Sequence, residues 1–82
     1  MILPRNIDCK TLVKALEKAG FIQTRQKGSH IRMTRLSKEG SIHVTIPNHS
    51  PIKIGTLNSI IKGLAEDLNI PKEEFIKNLF NK

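Results

Sequence analysis

Two stretches in the middle of the chain alternate between apolar and polar residues, and this alternation constrains the fold more than any other feature. The apolar positions are Ile31, Met33, Ile42, Val44 and Ile46. A period of two is typical of β-strands, and the turn-forming residues 38–40 between the stretches predict an antiparallel hairpin that ends at Pro47. Each strand then has one apolar face, which other parts of the chain must cover.

Helices predicted elsewhere in the chain can cover this apolar face. The apolar spacing predicts three helices, at residues 8–19, 57–68 and 71–80. Asp8 is the predicted N-cap of the first helix, Gly20 follows its end, Thr56 caps the second, and Pro71 opens the third. A further strand is predicted at residues 21–26, where the alternation is too weak to assign faces.

The predicted order is therefore α-β-β-β-α-α. We expect an α+β fold with a three-stranded antiparallel sheet and the helices packed on one face. With 82 residues the chain supports one domain, residues 1–82, and a large internal substrate cavity is not expected. The parity of the two alternating strands places a polar set on the open face of the sheet: His30, Arg32, Thr34, His43 and Thr45.

The net charge of +7 is concentrated in the first part of the chain. Residues 1–53 contain ten Lys and Arg against three acids, whereas residues 54–82 contain four of each sign. Clustered positive charge attracts phosphate, so nucleic acid is the first partner to consider. A membrane surface is less favoured, because the densest cluster is predicted to be strand and no apolar stretch is long enough to span a bilayer.

Composition also bounds the compartment and the chemistry. No secretory signal is evident, and we expect the protein in the cytoplasm. Cys9 is the only cysteine, so it cannot form an intrachain disulfide, and packing in the first helix is its expected role. A metal-dependent nuclease needs clustered carboxylates, and the basic strands contain only Glu39. With no Trp or Tyr, stacking on bases lacks its usual platform.

His30 is the residue on which the functional interpretation depends. Cleavage of RNA without metal requires proton transfers and positive charge at the phosphate, and an imidazole beside Lys27, Arg32 and Arg35 has the means for both. From the residues alone, a strand-surface histidine that only contacts phosphate or water is the favoured interpretation. Ser29 next to His30 does not make a nucleophilic triad.

Several motifs resemble one family when they are taken in order. These are KGSH at residues 27–30, VTIP at 44–47, His49, GTL at 55–57 and II at 60–61. In this order the chain resembles the HicA toxin family of toxin–antitoxin pairs, from about Cys9 to Phe80.

The resemblance implies a fold like that of the double-stranded-RNA-binding domain and cleavage of messenger RNA without metal or cofactor. It also implies a catalytic histidine, which matches His30, and inhibition by a HicB-type antitoxin. Together with the charge pattern it predicts these RNA-binding residues: Arg25, Lys27, Gly28, Ser29, Arg32, Arg35 and His43. We expect the antitoxin to pack over His30, Arg32 and Lys27.

Two other functions remain open at this point. The first is a non-catalytic RNA-binding module with the same fold and charge. The second is a protein–protein adaptor whose basic face meets an acidic partner. Degradation of RNA by the purified protein in excess chelator separates the toxin from both.

Overall fold

A computed structural model describes residues 7–38, 40–49 and 51–80, and it confirms the predicted order of elements. The elements are α1 Cys9–Lys18, β1 Ile22–Lys27, β2 His30–Ser37, β3 Gly40–Pro47, α2 Ile54–Leu68 and α3 Lys72–Phe80. The three strands form one antiparallel sheet in the order β1-β2-β3. The fold is α+β, as the sequence predicts. Glu39, within the predicted turn, lies outside the described residues.

Helix α1 has the predicted signals at both ends. The Thr11 N–H donates to Asp8 Oδ1 at 2.7 Å. Hydrogen bonding from Thr11, first from its side chain and then from this N–H, lowers the pKa of Asp8. At the other end Gly20 adopts φ 95, and the Phe21 N–H donates to the Leu16 carbonyl at 3.0 Å. A residue with positive φ followed by such a backward bond is a Schellman ending, which sends the chain into β1.

Helix α2 begins earlier than predicted, so the assignment of Thr56 as its cap is wrong. Lys53 is the N-cap residue, and the Leu57 N–H donates to the Lys53 carbonyl at 2.9 Å. Ile52 is buried and its N–H donates to the Ile7 carbonyl at 2.7 Å, which fixes the chain just before the helix. Because that anchor lies so early, the helical bonds start before Thr56, which falls in the first turn.

The remaining helix boundaries differ little from prediction. Asn69 adopts φ 58 and ends α2. The Phe75 N–H donates to the Pro71 carbonyl at 3.0 Å, so the proline precedes the first residue of α3 by one position. The third helix is therefore one residue shorter at its start than predicted.

The hydrophobic core lies between the helices and one face of the sheet. Met33 and Ile46 from the strands are fully buried, as are Leu12 and Ile61 from the helices. Cys9 is also buried in this core, which agrees with its expected packing role, and burial raises the pKa of its thiol. The opposite face of the sheet, called the outer face below, is not covered by the helices. Within the described ranges, no helix is long and apolar enough to cross a membrane.

Candidate nucleic-acid interface

The turn between β1 and β2 places His30 at the start of its strand. Only Gly28 and Ser29 separate the two strands, and Lys27 pairs directly with His30. Gly28 adopts φ 58, and a glycine with positive φ at the first position is what a tight two-residue hairpin turn requires. A Cβ at this position would meet no atom within 4 Å, so the glycine serves the backbone conformation and not a close contact.

The strand register collects basic residues in rows across the outer face. Arg25 pairs with Arg32, which in turn pairs with Thr45 on β3. Lys27 and His30 form the adjacent row. Cross-strand partners point to the same face of a sheet, so these side chains converge. They surround a shallow hollow of about 200 Å³, called the cationic hollow below, lined by Arg25, Lys27, His30, Arg32 and Thr45.

The electrostatics of the cationic hollow favour an anion. Like charges directly opposite each other on neighbouring strands repel, and Arg25 with Arg32 is such a pair. None of the five described residues that line the hollow carries a carboxylate, and all five side chains are exposed. An anion bound between the guanidinium groups would relieve the repulsion, and guanidinium groups match the geometry of phosphate oxygens. Thr45 adds a hydroxyl that the predicted RNA-binding set did not contain, although strand parity placed it on this face.

His43 lies on the outer face as predicted, but a hydrogen bond ties its ring to the sheet. Its Nδ1 lies 3.0 Å from Thr34 Oγ1, which is itself 3.0 Å from Thr24 Oγ1. The Thr24 hydroxyl donates to the Arg32 carbonyl at 3.4 Å. A carbonyl can only accept, so the directions of these hydrogen bonds follow. Thr24 donates to the carbonyl, the Thr34 hydroxyl donates to Thr24, and His43 Nδ1–H donates to Thr34.

Thr34 is not open, which corrects the expectation that it belongs to the exposed set. Its side chain is only 7% exposed although it points to the outer face. The register of β1 shifts between Gln23 and Arg25, and this bulge brings Thr24 against Thr34 from one side while His43 covers it from the other. Thr34 therefore bonds to its neighbours and has little contact with solvent.

The two histidines of the outer face are well separated. His43 pairs with Thr34, and Thr34 follows His30 by four residues on β2. At roughly 3.3 Å per strand residue this is about 13 Å along the sheet. The structure therefore brings Arg25, Lys27 and Arg32 to His30, and it leaves His43 outside the cationic hollow.

Arg35 lies on the opposite face of the sheet from the other predicted RNA-binding residues. It pairs with Ile42, whose side chain packs against the core, and its Nε would lie 3.5 Å from a Cβ built on Gly20. The dense charge of the segment placed Arg35 with the others, but its parity is that of Ile31 and Met33. The structure thus separates Arg35 from the cationic hollow.

The described residues contain no group of three or more His, Cys, Asp or Glu side chains with the proximity that a metal site needs. Gly28 and Ser29 border the cationic hollow through the turn, but they do not line it.

A comparison with protein-family models places the chain in a family. The model of the HicA toxin of bacterial toxin–antitoxin systems matches residues 9–65, from the first residue of α1 to the last part of α2. The chain belongs to the HicA toxin family, and its α+β architecture agrees with the double-stranded-RNA-binding-domain-like fold of that family. The match covers the cationic hollow completely and stops before α3, whereas the resemblance was expected to reach Phe80. Searches of curated proteins and of solved structures gave no match.

Proposed function

We propose that this toxin is a metal-independent endoribonuclease that cleaves messenger RNA in the cytoplasm and uses His30 for proton transfer. Messenger-RNA cleavage is the activity of the HicA family, to which the chain belongs. The observation that carries the proposal for this chain is the cationic hollow. Arg25 faces Arg32, Lys27 faces His30, and no carboxylate lies among them.

The chemistry needs three functions at one phosphate. A base removes the proton of the ribose 2′-OH, the 2′-oxygen forms a bond to phosphorus, and the bond from phosphorus to the 5′-oxygen breaks while an acid protonates that oxygen. The products are a 2′,3′-cyclic phosphate and a 5′-hydroxyl. An imidazole changes charge near neutral pH, so His30 is suited to carry one of the two proton transfers.

The basic residues supply the charge stabilisation. The phosphate gains negative charge at its non-bridging oxygens as the transition state forms, and donors fixed in advance around it lower the barrier. Arg25 and Arg32 lie side by side on two rigid strands, so two guanidinium groups can bind one phosphate without rearrangement of the backbone. Lys27 adds a compact charge next to His30.

Cleavage of a defined RNA in excess chelator tests this proposal. We expect products with 2′,3′-cyclic phosphate ends, and we expect an RNA with a single 2′-deoxy nucleotide at the cleavage site to resist cutting there, because the nucleophile is missing. Products with 5′-phosphate ends, or activity that disappears with chelator, would contradict the mechanism.

A non-catalytic RNA-binding module is the second candidate. No side-chain hydrogen bond orients the His30 ring within the part of the chain that the structure describes, whereas an acid–base histidine is commonly held by a partner. A hollow that binds phosphate through Arg25 and Arg32 would serve such a module equally well. Tight RNA binding without any cleavage in the chelator experiment would establish this function instead.

We further propose that an antitoxin of the HicB type inhibits the protein by covering the cationic hollow. The family pairs its toxins with such antitoxins, and a partner with acidic residues would match His30, Arg32 and Lys27. Charge should speed the encounter, whereas packing should set the lifetime of the complex. We expect RNA and antitoxin to compete, and we expect salt to slow association much more than it speeds dissociation. An inhibited complex that still binds RNA with unchanged affinity would rule out occlusion.

A further inference from the structure

A second hollow opens beside the cationic hollow, in the connection from β3 to α2. Its volume is about 580 Å³, and it is lined by Pro47, His49, Pro51, Ile52, Lys53 and Thr56. None of these lining residues carries negative charge. The second hollow is larger than the cationic hollow and shares no lining residue with it.

The two hollows adjoin at the start of β2. Pro47, which lines the second hollow, pairs with His30 in the sheet register. The next residue, Asn48, donates its N–H to the Ser29 carbonyl at 2.6 Å and so joins this connection to the turn before His30. A nucleic-acid strand bound at His30 therefore lies next to Pro47, a wall of the second hollow.

Two residues of the second hollow, Ile52 and Lys53, have their backbones fixed by hydrogen bonds. Ile52 is only 4% exposed, and its N–H donates to the Ile7 carbonyl at 2.7 Å. Lys53 belongs to the first helical bond of α2 through its carbonyl. Because the backbones of Ile52 and Lys53 are already bonded to other parts of the fold, binding energy is not spent on ordering them.

The polar groups of the second hollow suit a phosphate. Lys53 is exposed and contributes a positive charge, Thr56 contributes a hydroxyl that can donate, and His49 contributes an imidazole N–H. Pro47 and Ile52 form an apolar wall on which a sugar can pack. The combination fits a phosphate that is part of a larger molecule better than a free anion.

We propose that the second hollow binds another phosphate of the same RNA strand, one or more nucleotides from the bond that is cut. This inference rests on the proposed function of the cationic hollow, and it assigns RNA contacts to Lys53, His49 and Thr56. A short RNA would fill only the cationic hollow, whereas a longer RNA would occupy both. Affinity should therefore rise with RNA length until the second hollow is filled.

Binding of a length series of RNA oligonucleotides tests the inference. The oligonucleotides carry 2′-O-methyl groups, which remove the nucleophile and prevent cleavage, so affinity is measured without turnover. We expect Lys53→Ala to weaken binding of the long oligonucleotides by about 3- to 10-fold and to reduce the slope of log affinity against log salt by about 0.7. The shortest oligonucleotides should bind the variant and the wild type equally. His49→Ala should act in the same direction, and Lys53→Arg should restore binding.

Lys62→Ala is the matched control, because it removes the same charge from an exposed position within α2, outside the second hollow. We expect it to leave affinity unchanged at every length, and unchanged thermal unfolding of each variant shows that the fold is intact. If Lys53→Ala weakened binding of short and long RNA equally, or did not weaken binding of long RNA, the inference would be overturned. The proposed role of the cationic hollow would be unaffected. Absence of RNA binding by the wild type would overturn both. If inorganic phosphate bound the wild type more tightly than the long RNA does, and if this binding depended on Lys53, the second hollow would be a site for a free anion and the inference would be overturned.

Discussion

The outer face of the sheet carries two histidines in different surroundings. His30 lies among Arg25, Lys27 and Arg32, and its ring faces a hollow. His43 lies about 13 Å further along the sheet, with its Nδ1 bonded to the Thr34 hydroxyl. Strand parity gives both residues the same face and the same exposure, so parity alone makes them equivalent.

The difference between them lies in what each imidazole contacts. One nitrogen of His43 is used to cover a buried hydroxyl, so that ring forms part of the sheet's own hydrogen bonding. The exposed apolar side chains of Ile22 and Leu36, 57% and 74% exposed, belong to the strand ends near His43 and not to the cationic hollow. The three basic residues of the cationic hollow, Arg25, Lys27 and Arg32, lie at the His30 end. Position on a face therefore does not distinguish the two histidines, whereas their neighbours across the strands do.

The largest expected effect separates the two histidines by activity. His30→Ala should reduce RNA cleavage by about 10²- to 10⁴-fold, which is the usual contribution of a general acid or base. His43→Ala should stay within a few-fold of the wild type. Initial cleavage rates at matched protein concentration, with thermal unfolding of both variants as the control, provide the measurement. Similar losses of cleavage rate in the two variants would contradict the distinction between His30 and His43.

The next effect distinguishes the surroundings of His43 from those of His30 by their contribution to the free energy of unfolding. Thr34→Val keeps the shape of a buried side chain but removes the hydroxyl that bonds to His43 and Thr24, so we expect a loss of about 1 kcal/mol in the free energy of unfolding. For a domain of this size that corresponds to roughly 4–8 °C in Tm. Thr45→Val is the matched control in the cationic hollow, where the exposed hydroxyl contributes little to folding. If both variants unfold like the wild type, the linked hydrogen bonds of His43, Thr34 and Thr24 do not stabilise the sheet.

A smaller effect, of opposite sign, is expected at the cationic hollow. Arg25→Gln removes one member of the repelling pair with Arg32, so the free energy of unfolding should rise by about 0.2–1 kcal/mol while RNA binding weakens. Arg35→Gln removes an equal charge from the other face and should leave RNA binding unchanged. Chemical unfolding and RNA titration at the same ionic strength give both quantities. A stabilised Arg25→Gln variant with full RNA affinity would argue that this charge does not serve phosphate binding.

The smallest effect concerns acid conditions, which matter because the role of His30 would be studied by its pH dependence. Hydrogen bonds from the Thr11 side chain and from its N–H hold the pKa of Asp8 below its usual value. The cap therefore stabilises α1 above the unfolded pKa near ~3.9 and loses this effect as pH falls through the lower folded value.

Asp8→Asn keeps a capping oxygen without the titration. Its Tm should match that of the wild type at neutral pH and should fall less steeply below about pH 4. An identical acid dependence in the two proteins would assign the acid sensitivity to other groups. Pairing the two proteins in this way separates acid effects on the fold from acid effects on the chemistry at His30.

The sequence predicted the fold well because its strongest signals are local. Alternation defined β2 and β3, and the roles of Asp8 and Gly20 at the ends of α1 follow from hydrogen bonds within a few residues. The start of α2 was misplaced, because the early anchor at Ile52 depends on the distant residue Ile7. That contact has no trace in the local pattern around Thr56.

The grouping of side chains on the outer face was predicted less completely, for two physical reasons. Charge density grouped Arg35 with the hollow, although its parity, which was available from the sequence, places it on the face of Met33. The bulge in β1 is the second reason, because it brings Thr24 to Thr34 and pairs Arg25 with Arg32. A register shift depends on packing against the neighbouring strand, and the weak alternation of residues 21–26 was its only visible sign.

The most direct test of the account is a map of where RNA binds. Backbone amide NMR shifts of the wild-type protein, titrated with a 2′-O-methyl RNA that cannot be cut, report contact at each residue. We expect the largest changes at Arg25, Lys27, His30, Arg32 and Thr45, with little change at Arg35. Changes centred on His43 and Leu36, or on the helices, would contradict the assignment of the cationic hollow as the RNA site.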